Sequence, residues 1–138
     1  MKILAVVFTV RRKDSPKTLA LTEELCMRIN TQLKGKAEIE ILTMSEVPIQ
    51  ACLGCQTCFR DGYCPQDGAD GMEKLRQEVL ECDALIAATP VYMCMVSGWC
   101  KNFLDRCARW CHVFELLGKP CLVLSATNTS GAENTADY

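Results

Sequence analysis

Ile3-Leu4-Ala5-Val6-Val7-Phe8 is an unbroken run of six apolar residues. It has the length of a strand, and its lack of alternation predicts burial on both faces, as in a parallel sheet. Outward from it, Ser15-Pro16 offers an N-cap followed by proline at the first helical position. Leu19, Thr22, Leu25, Cys26 and Ile29 then recur at helical spacing, predicting a helix over about 16–34 that Gly35 closes. Ala37 to Leu42 alternates through Glu38-Ile39-Glu40-Ile41, the pattern of a shorter strand near an edge. Met72, Leu75, Val79 and Leu80 line a second helix starting near Ala69 or Asp70. Asp83 to Ala88 is a further buried strand, which Thr89-Pro90 is expected to break. Trp99, Phe103, Leu104 and Cys107 build a third helix over 97–111, and Cys121 to Ser125 is a fourth strand after Gly118-Lys119-Pro120. Strand and helix alternate throughout, which predicts an α/β fold: an open parallel sheet with helices on both faces.

A chain of 138 residues, 49% of them hydrophobic, has material for one core and little for a second, so residues 1–138 are read as a single domain with a cysteine-rich loop at about 48–66. A net charge of -2 supplies no global basic field, although Arg11-Arg12-Lys13 is a local basic spot; nucleic acid is not an expected partner. No apolar stretch approaches the roughly 20 residues that span a bilayer, and the first apolar run meets basic residues too soon to read as a signal peptide. An odd count of 11 cysteines argues against a complete disulfide framework, so the expected setting is a reducing cytoplasm.

Four of those cysteines fall within thirteen residues: Cys52, Cys55, Cys58 and Cys64, in the pattern C-x2-C-x2-C-x5-C-P. Structural zinc sites usually join two separated ligand pairs, whereas successive C-x2-C steps ending in Cys-Pro look more like iron-sulfur ligation. Gly54 and Gly62 allow the backbone to wrap a cofactor. Zinc and four unliganded thiols stay open as alternatives. Cys26, Cys82, Cys100, Cys107, Cys111 and Cys121 read mostly as small hydrophobes of the core. Cys94 is the exception to watch, because it follows the third strand. His112 has no partners for a catalytic triad and is given no catalytic role.

Parallel open sheets bind ligands beyond the carboxyl ends of their strands. Three segments emerge there. Thr9 to Thr18 is rich in Thr, Ser and basic groups and leads into a helix N-terminus suited to phosphate. Pro90-Val91-Tyr92-Met93 offers apolar and aromatic surface for a ring, and Thr127 to Gly131 is small and polar. The set suits a phosphorylated aromatic cofactor.

Taken in order, the first strand and its Thr/Arg/Ser/Thr loop, the C-x2-C-x2-C-x5-C run, Asp70-Gly71-Met72, Cys82-Asp83-Ala84-Leu85-Ile86, Thr89-Pro90-Val91-Tyr92 and Lys101-Asn102-Phe103-Leu104-Asp105-Arg106 resemble the iron-sulfur flavoproteins. Those proteins sit within the flavodoxin-like group of nicotinamide-dependent FMN reductases. The resemblance implies a flavodoxin-like sheet of order 2-1-3-4, with the family's fifth strand and last helix missing from this chain. It implies FMN held by Thr9, Arg11, Ser15, Lys17 and Thr18 at the phosphate, by Pro90, Val91, Tyr92 and Met93 beside the ring, and by Ser130 and Gly131. It further implies a [4Fe-4S] cluster on Cys52, Cys55, Cys58 and Cys64, and NAD(P)H as a possible electron donor. The chemistry would belong to the flavin, with no catalytic side chain. The expected partners are small-molecule or protein electron donors and acceptors, and the expected assembly is a homo-oligomer, dimer or tetramer. Two departures stand out: the phosphate loop Phe8-Thr9-Val10-Arg11 lacks the family's glycine, and Pro16 removes an N–H from the anion site. They keep a second reading open, a non-enzymatic four-cysteine metal-binding module, with zinc or without bound FMN.

Overall fold

A computed structural model of the chain describes residues 1–10 and 16–137. The opening apolar run forms β1 (Lys2–Val7), buried from Ile3 onward. Its neighbours are both parallel: β2 (Glu38–Thr43) on one side, with Lys2 opposite Glu38 and Val7 opposite Thr43, and β3 (Ala84–Tyr92) on the other, with Ile3 opposite Ala84 and Val7 opposite Ala88. β3 in turn pairs in parallel with a later strand, Cys121–Ala126. Between them lies β4 (Met95–Val96), a two-residue antiparallel partner of β3, so the later strand is β5. The parallel order is therefore β2-β1-β3-β5, the expected order 2-1-3-4 with one short strand inserted in the count. β2 and β5 are the outer strands.

Two apolar layers explain why β1 does not alternate. Leu4, Val6 and Phe8 point into one core with Met72, Leu75 and Val79 of α3 (Met72–Glu81) and with Cys100 and Phe103 of α4 (Gly98–Arg106). Ile3 and Ala5 point into the other, with Ile86 and with Cys26, Leu25 and Ile29 of the long N-terminal helix α1 (Lys17–Gln32). Period-two geometry sends alternate residues to opposite faces, and a helix waits on each. The first core extends through aromatic contacts: Phe8 to Phe103, tilted at 37° with 5.2 Å between ring centroids, and Phe103 to Trp110, edge-on at 5.7 Å.

Four expectations need correction. Thr89-Pro90 does not end β3, which runs to Tyr92. The Ala88 carbonyl accepts from the Phe8 N–H, so backbone groups at 88 and 90 face the β1 side, and β1 has already ended at Val7. The N–H that Pro90 lacks is not needed there. The helix expected over 97–111 is two: α4, capped where the Ser97 hydroxyl accepts the Cys100 N–H at 3.2 Å, and α5 (Ala108–His112). At the joint the Cys107 N–H is shared between the carbonyls of Phe103 and Leu104, tightening the turn. The helix expected from 69 or 70 starts at Met72 because the Asp70 carboxylate takes the Met72 N–H from outside the helix. Cys111 and Cys121 are exposed, unlike the buried Cys26, Cys82, Cys100 and Cys107: Cys121 lies on the outer strand β5, and Cys111 lines an open apolar hollow beside α5. Two short helices had no periodic signal, α2 (Thr57–Arg60) inside the cysteine loop and α6 (Ala132–Ala136). Among the described residues, no helix is long and apolar enough to cross a membrane.

Candidate functional site

The carboxyl ends of β1, β3 and β5 surround a cavity of about 320 Å³. Thr9 lines it from the end of β1, Lys17, Thr18 and Leu21 from the start of α1, Pro90, Val91 and Tyr92 from β3, and Ala126, Thr127 and Asn128 from the end of β5. Its two ends differ chemically. At one, the first intrahelical bond of α1 is from the Ala20 N–H to the Pro16 carbonyl, so the N–H groups of Lys17, Thr18 and Leu19 precede the helical ladder and favour an anion. Pro16 itself contributes none. Lys17 brings positive charge; its Nζ donates to Asn128 Oδ1 at 2.8 Å, across the cavity mouth. At the other end Val91 and Tyr92 present apolar surface, with Tyr92 56% exposed. A polar end beside a helix N-terminus and an apolar end on a strand fit a phosphorylated ring cofactor.

The structure thus brings Thr9, Lys17, Thr18, Pro90, Val91 and Tyr92 together around one cavity. Met93, Ser130 and Gly131 flank it rather than line it. Met93 and Cys94 form the tip of the β3–β4 hairpin with φ of 52° and 60°, values usual for Asn or Gly in such turns. Gly131 backs directly onto that tip: a Cβ there would meet Cys94 Cα at 2.7 Å, and its φ is 89°. Arg11 and Ser15 lie outside the described residues. Leu21 and Asn128 were not singled out from the sequence; Asn128 belongs to the polar segment that was, and Leu21 carries only the period of its helix.

The cysteine loop stands apart from this cavity. Cys52 and Cys55 are exposed, Cys58 and Cys64 half-buried. Gly54, Gln56 and Gly62 all have positive φ, so the backbone coils as wrapping a ligand requires. Thr57 donates from its hydroxyl and its backbone N–H to the Cys55 sulfur and draws that thiol below its ordinary pKa. Cys52 Sγ accepts the Gly54 N–H at 3.4 Å. Short helix α2 carries Cys58 and leans on α5 through Phe59, whose ring lies 4.5 Å from that of His112. His112 therefore has a packing role here. Four soft donors on one coiled loop fit a thiolate-bound centre in kind. In placement they fall short: among the described residues, no three of Cys, His, Asp or Glu are grouped closely enough to hold a metal ion.

Beneath the loop, Asp70 is buried against Arg106. Burial alone would raise the carboxyl pKa, but the Arg106 guanidinium and the N–H groups of Gln50 and Met72 outweigh it and hold the group below the usual carboxylate range. Burial likewise works against the Arg106 charge, and Asp70 and Asp67 more than restore it.

Comparison with known proteins agrees with this geometry. The family model described as NADPH-dependent FMN reductase matches residues 1–138. An iron-sulfur flavoprotein of Archaeoglobus fulgidus is 40% identical over 82 residues, 59% of this chain and 36% of that protein. A second from the same organism is 32% identical over 106 residues, 77% of this chain and 48% of that protein. One from Methanocaldococcus jannaschii is 26% identical over 137 residues, 98% of this chain and 67% of that protein. The chain thus spans between 36% and 67% of the length of these relatives. Among solved structures, RosB with a bound 8-demethyl-8-formylriboflavin-5'-phosphate intermediate superposes with a TM-score of 0.74 at 21% identity, over 99% of this chain and 56% of that one. FerB, an NAD(P)H:(acceptor) oxidoreductase from Paracoccus denitrificans, superposes with a TM-score of 0.62 at 20% identity, over 99% and 66%. At those identities the likeness shows the flavodoxin-like α/β fold. The family match, extending over residues 1–138, shows that the chain belongs to the NADPH-dependent FMN reductase family.

Proposed function

We propose that the chain is an FMN-dependent redox protein, with FMN in the strand-end cavity and a [4Fe-4S] cluster on Cys52, Cys55, Cys58 and Cys64. The observation that carries the flavin half is the cavity itself, polar where α1 begins and apolar at Val91 and Tyr92, in a member of an FMN reductase family. Lys17 and the leading N–H groups of α1 would hold the phosphate, with Arg11 and Ser15 completing that loop. Thr9 would orient it, and Pro90, Val91, Tyr92 and Met93 would hold one side of the ring. Ser130 and Gly131 set the path of the loop facing it. Bound there, FMN would supply exchange of electron pairs with a donor such as NAD(P)H and of single electrons with a cluster or protein partner. Exposed Tyr92 and Met93 leave the ring side open to such a donor.

The cluster half rests on the C-x2-C-x2-C-x5-C spacing, on three positive-φ residues in the loop, and on relatives named iron-sulfur flavoproteins. Because the thiols do not converge in this conformation, the loop would close as it takes up iron and sulfide. A homo-oligomeric assembly belongs to the same proposal, supported by Leu122 and Val123 of outer strand β5, each nearly half exposed. So does a cytoplasmic setting, supported by the eleven free thiols.

The test is an absorption spectrum of protein purified and kept without oxygen, before and after reductant. Flavin bands near ~450 nm that bleach, over a broad shoulder that fades, support both halves. Bleaching bands without the shoulder sink the cluster, and a featureless spectrum favours the zinc-binding or cofactor-free module. Cys55→Ser should then remove the iron and leave FMN bound, while Arg11→Ala weakens FMN and leaves the iron.

A further inference from the structure

Helix α4 connects the two candidate sites, and each of its ends is tied to one of them. At its start, the Ser97 hydroxyl donates to the Phe8 carbonyl at 3.0 Å and the Ser97 N–H donates to Thr89 Oγ1 at 3.1 Å. Phe8 and Thr89 immediately precede Thr9 and Pro90 of the cavity wall. At its end stands Arg106, whose side chain is fully buried. Guanidinium groups reach such places only when paired.

Its partners lie on both limbs of the cysteine loop. Nη1 donates to Asp70 Oδ2 at 2.6 Å and to the Gln50 carbonyl at 3.3 Å, and Nη2 donates to Asp67 Oδ1 at 3.0 Å. Asp70, 2% exposed, accepts the N–H groups of Gln50 and Met72, both at 2.9 Å. Buried Gln66 adds a bond from Nε2 to the Ala51 carbonyl at 3.1 Å. Gln50 and Ala51 lead into Cys52, and Gln66 to Met72 follow Cys64. One buried cation therefore closes the loop at its base and leaves the thirteen residues from Cys52 to Cys64 above it. The Arg106 Nε is buried with no hydrogen-bond partner among the described residues. A pair buried this deeply gains little net stability, because desolvation offsets the attraction. Fixing where a segment sits is its better-attested use.

We infer that Arg106 is a positioning residue for the cysteine loop: it clasps the two limbs to the end of α4, and α4, nine residues or about 13 Å long, acts as a strut from the cavity wall at Ser97 to that clasp. Reach between the two sites is set by the strut, while the thiols above the clasp stay free to close on a ligand. The inference rests on the cysteine loop being a ligand site, as proposed above, and its first readout is independent of that proposal.

The test compares the wild-type chain with Arg106→Met/Asp70→Asn, which removes both charges together and so avoids stranding one of them, and with Arg106→Lys. Amide hydrogen exchange is read across residues 50–52 and 66–72, with the far-ultraviolet spectrum and FMN dissociation constant as controls. Iron and sulfide uptake is then measured by anaerobic reconstitution. In the double variant we expect exchange in those two segments at least tenfold faster, iron uptake about 10- to 100-fold weaker, and both controls at wild-type values. Arg106→Lys should recover only part of either loss, because its three donors sit on one nitrogen and cannot reproduce the planar fork that spreads Nη1 and Nη2 over Gln50, Asp67 and Asp70. Unchanged exchange in the double variant, full recovery by lysine, or FMN affinity falling in step with exchange would each overturn the clasp. If the wild-type chain takes up no iron and sulfide, the cluster reading falls, and the exchange comparison alone decides whether the clasp exists.

Discussion

The strand-end cavity and the cysteine loop are both candidate ligand sites, but they are built in opposite ways. The cavity is assembled by the sheet: its walls are Thr9 just past β1, the last residues of β3, the end of β5 with the two residues after it, and the start of α1, so whatever holds the strands in register also shapes it. The loop has no such scaffold. Its base is locked by a buried charge network, while the four thiols above are half-buried or exposed and do not meet. A site made by topology exists before its ligand, and a site made by a clasped loop needs its ligand to finish it. The same difference sorts the expected effects of substitution: near the loop base they fall on stability, and at the cavity they fall on binding.

The largest effect should come from breaking the clasp on one side only. Arg106→Met leaves Asp70 buried without its cation and should cost about 3–5 kcal/mol in denaturant unfolding. Arg106→Met/Asp70→Asn should recover most of that. Equal stability of the single and double variants would show that the buried charge is not what matters. Next is Gly71→Ala. A Cβ there would lie 2.7 Å from the backbone carbon of Val47, in a stretch held by the bond from the Gly71 N–H to the Pro48 carbonyl. Buried backbone cannot yield cheaply, and a loss of about 1–3 kcal/mol is expected. Gly131→Ala at the cavity rim meets Cys94 Cα at the same 2.7 Å, but on a hairpin tip whose Met93 is 95% exposed. That tip can move, so the larger share of the effect should appear in FMN affinity. If Gly131→Ala proves the more destabilising of the two, the contrast between rigid base and yielding rim is wrong.

What the sequence revealed follows the same division. The run Ile3 to Phe8 and the helical period through Leu19 to Ile29 lead straight to the sheet and its covering helix, and the rule about strand ends then marks the segments that hold Thr9, Lys17, Thr18 and Pro90 to Tyr92, with the family resemblance singling out those residues. Periodicity records which face is buried, and that is enough for a topological site. It does not record pairing. Pro90 looked like a strand end because its missing N–H matters only if a neighbour is present on that side, and the early end of β1 is a fact of register. The break at Cys107 depends on how one N–H is shared. Spacing marked Cys52, Cys55, Cys58 and Cys64 as a set but could not say whether they converge. Arg106 and Asp70, thirty-six positions apart, carried no local sign of meeting. In the sequence Asp70 stands out as a helix start and as part of a family pattern, and Arg106 only as part of that pattern.

A smaller effect isolates the cavity. Lys17→Ala removes an exposed cation from the start of α1, and its bond to Asn128 is a surface contact that should cost little stability. Flavin affinity should fall by about 1 kcal/mol, roughly fivefold, with the loss shrinking as salt is raised. Iron content should not change. Loss of iron in this variant would mean that the two sites are coupled through more than α4.

Acid gives the finest discrimination, because the loop base carries a carboxylate, Asp70, whose titration is displaced by its fold. Asp70 is held below its ordinary pKa in the folded chain, so the unfolded chain binds the proton more readily. Its contribution is fully present above the unfolded carboxylate value of about 3.9 and drains away as pH falls through the lower folded value. The stability of the wild-type chain should therefore bend downward below about pH 4, by about 1 kcal/mol per pH unit. Arg106→Met/Asp70→Asn, lacking this carboxylate, should bend less. The bend should appear first in amide exchange of residues 50–52 and 66–72, because protonating Asp70 withdraws the acceptor that Arg106, Gln50 and Met72 share. The strand pairing of Val7 with Ala88 and of Thr89 with Ser125 involves no carboxylate and should keep its protection over the same interval. If both segments lose protection together, the loop base is not a separate unit from the sheet, and the cavity and the cysteine loop would have to be treated as one cooperative structure.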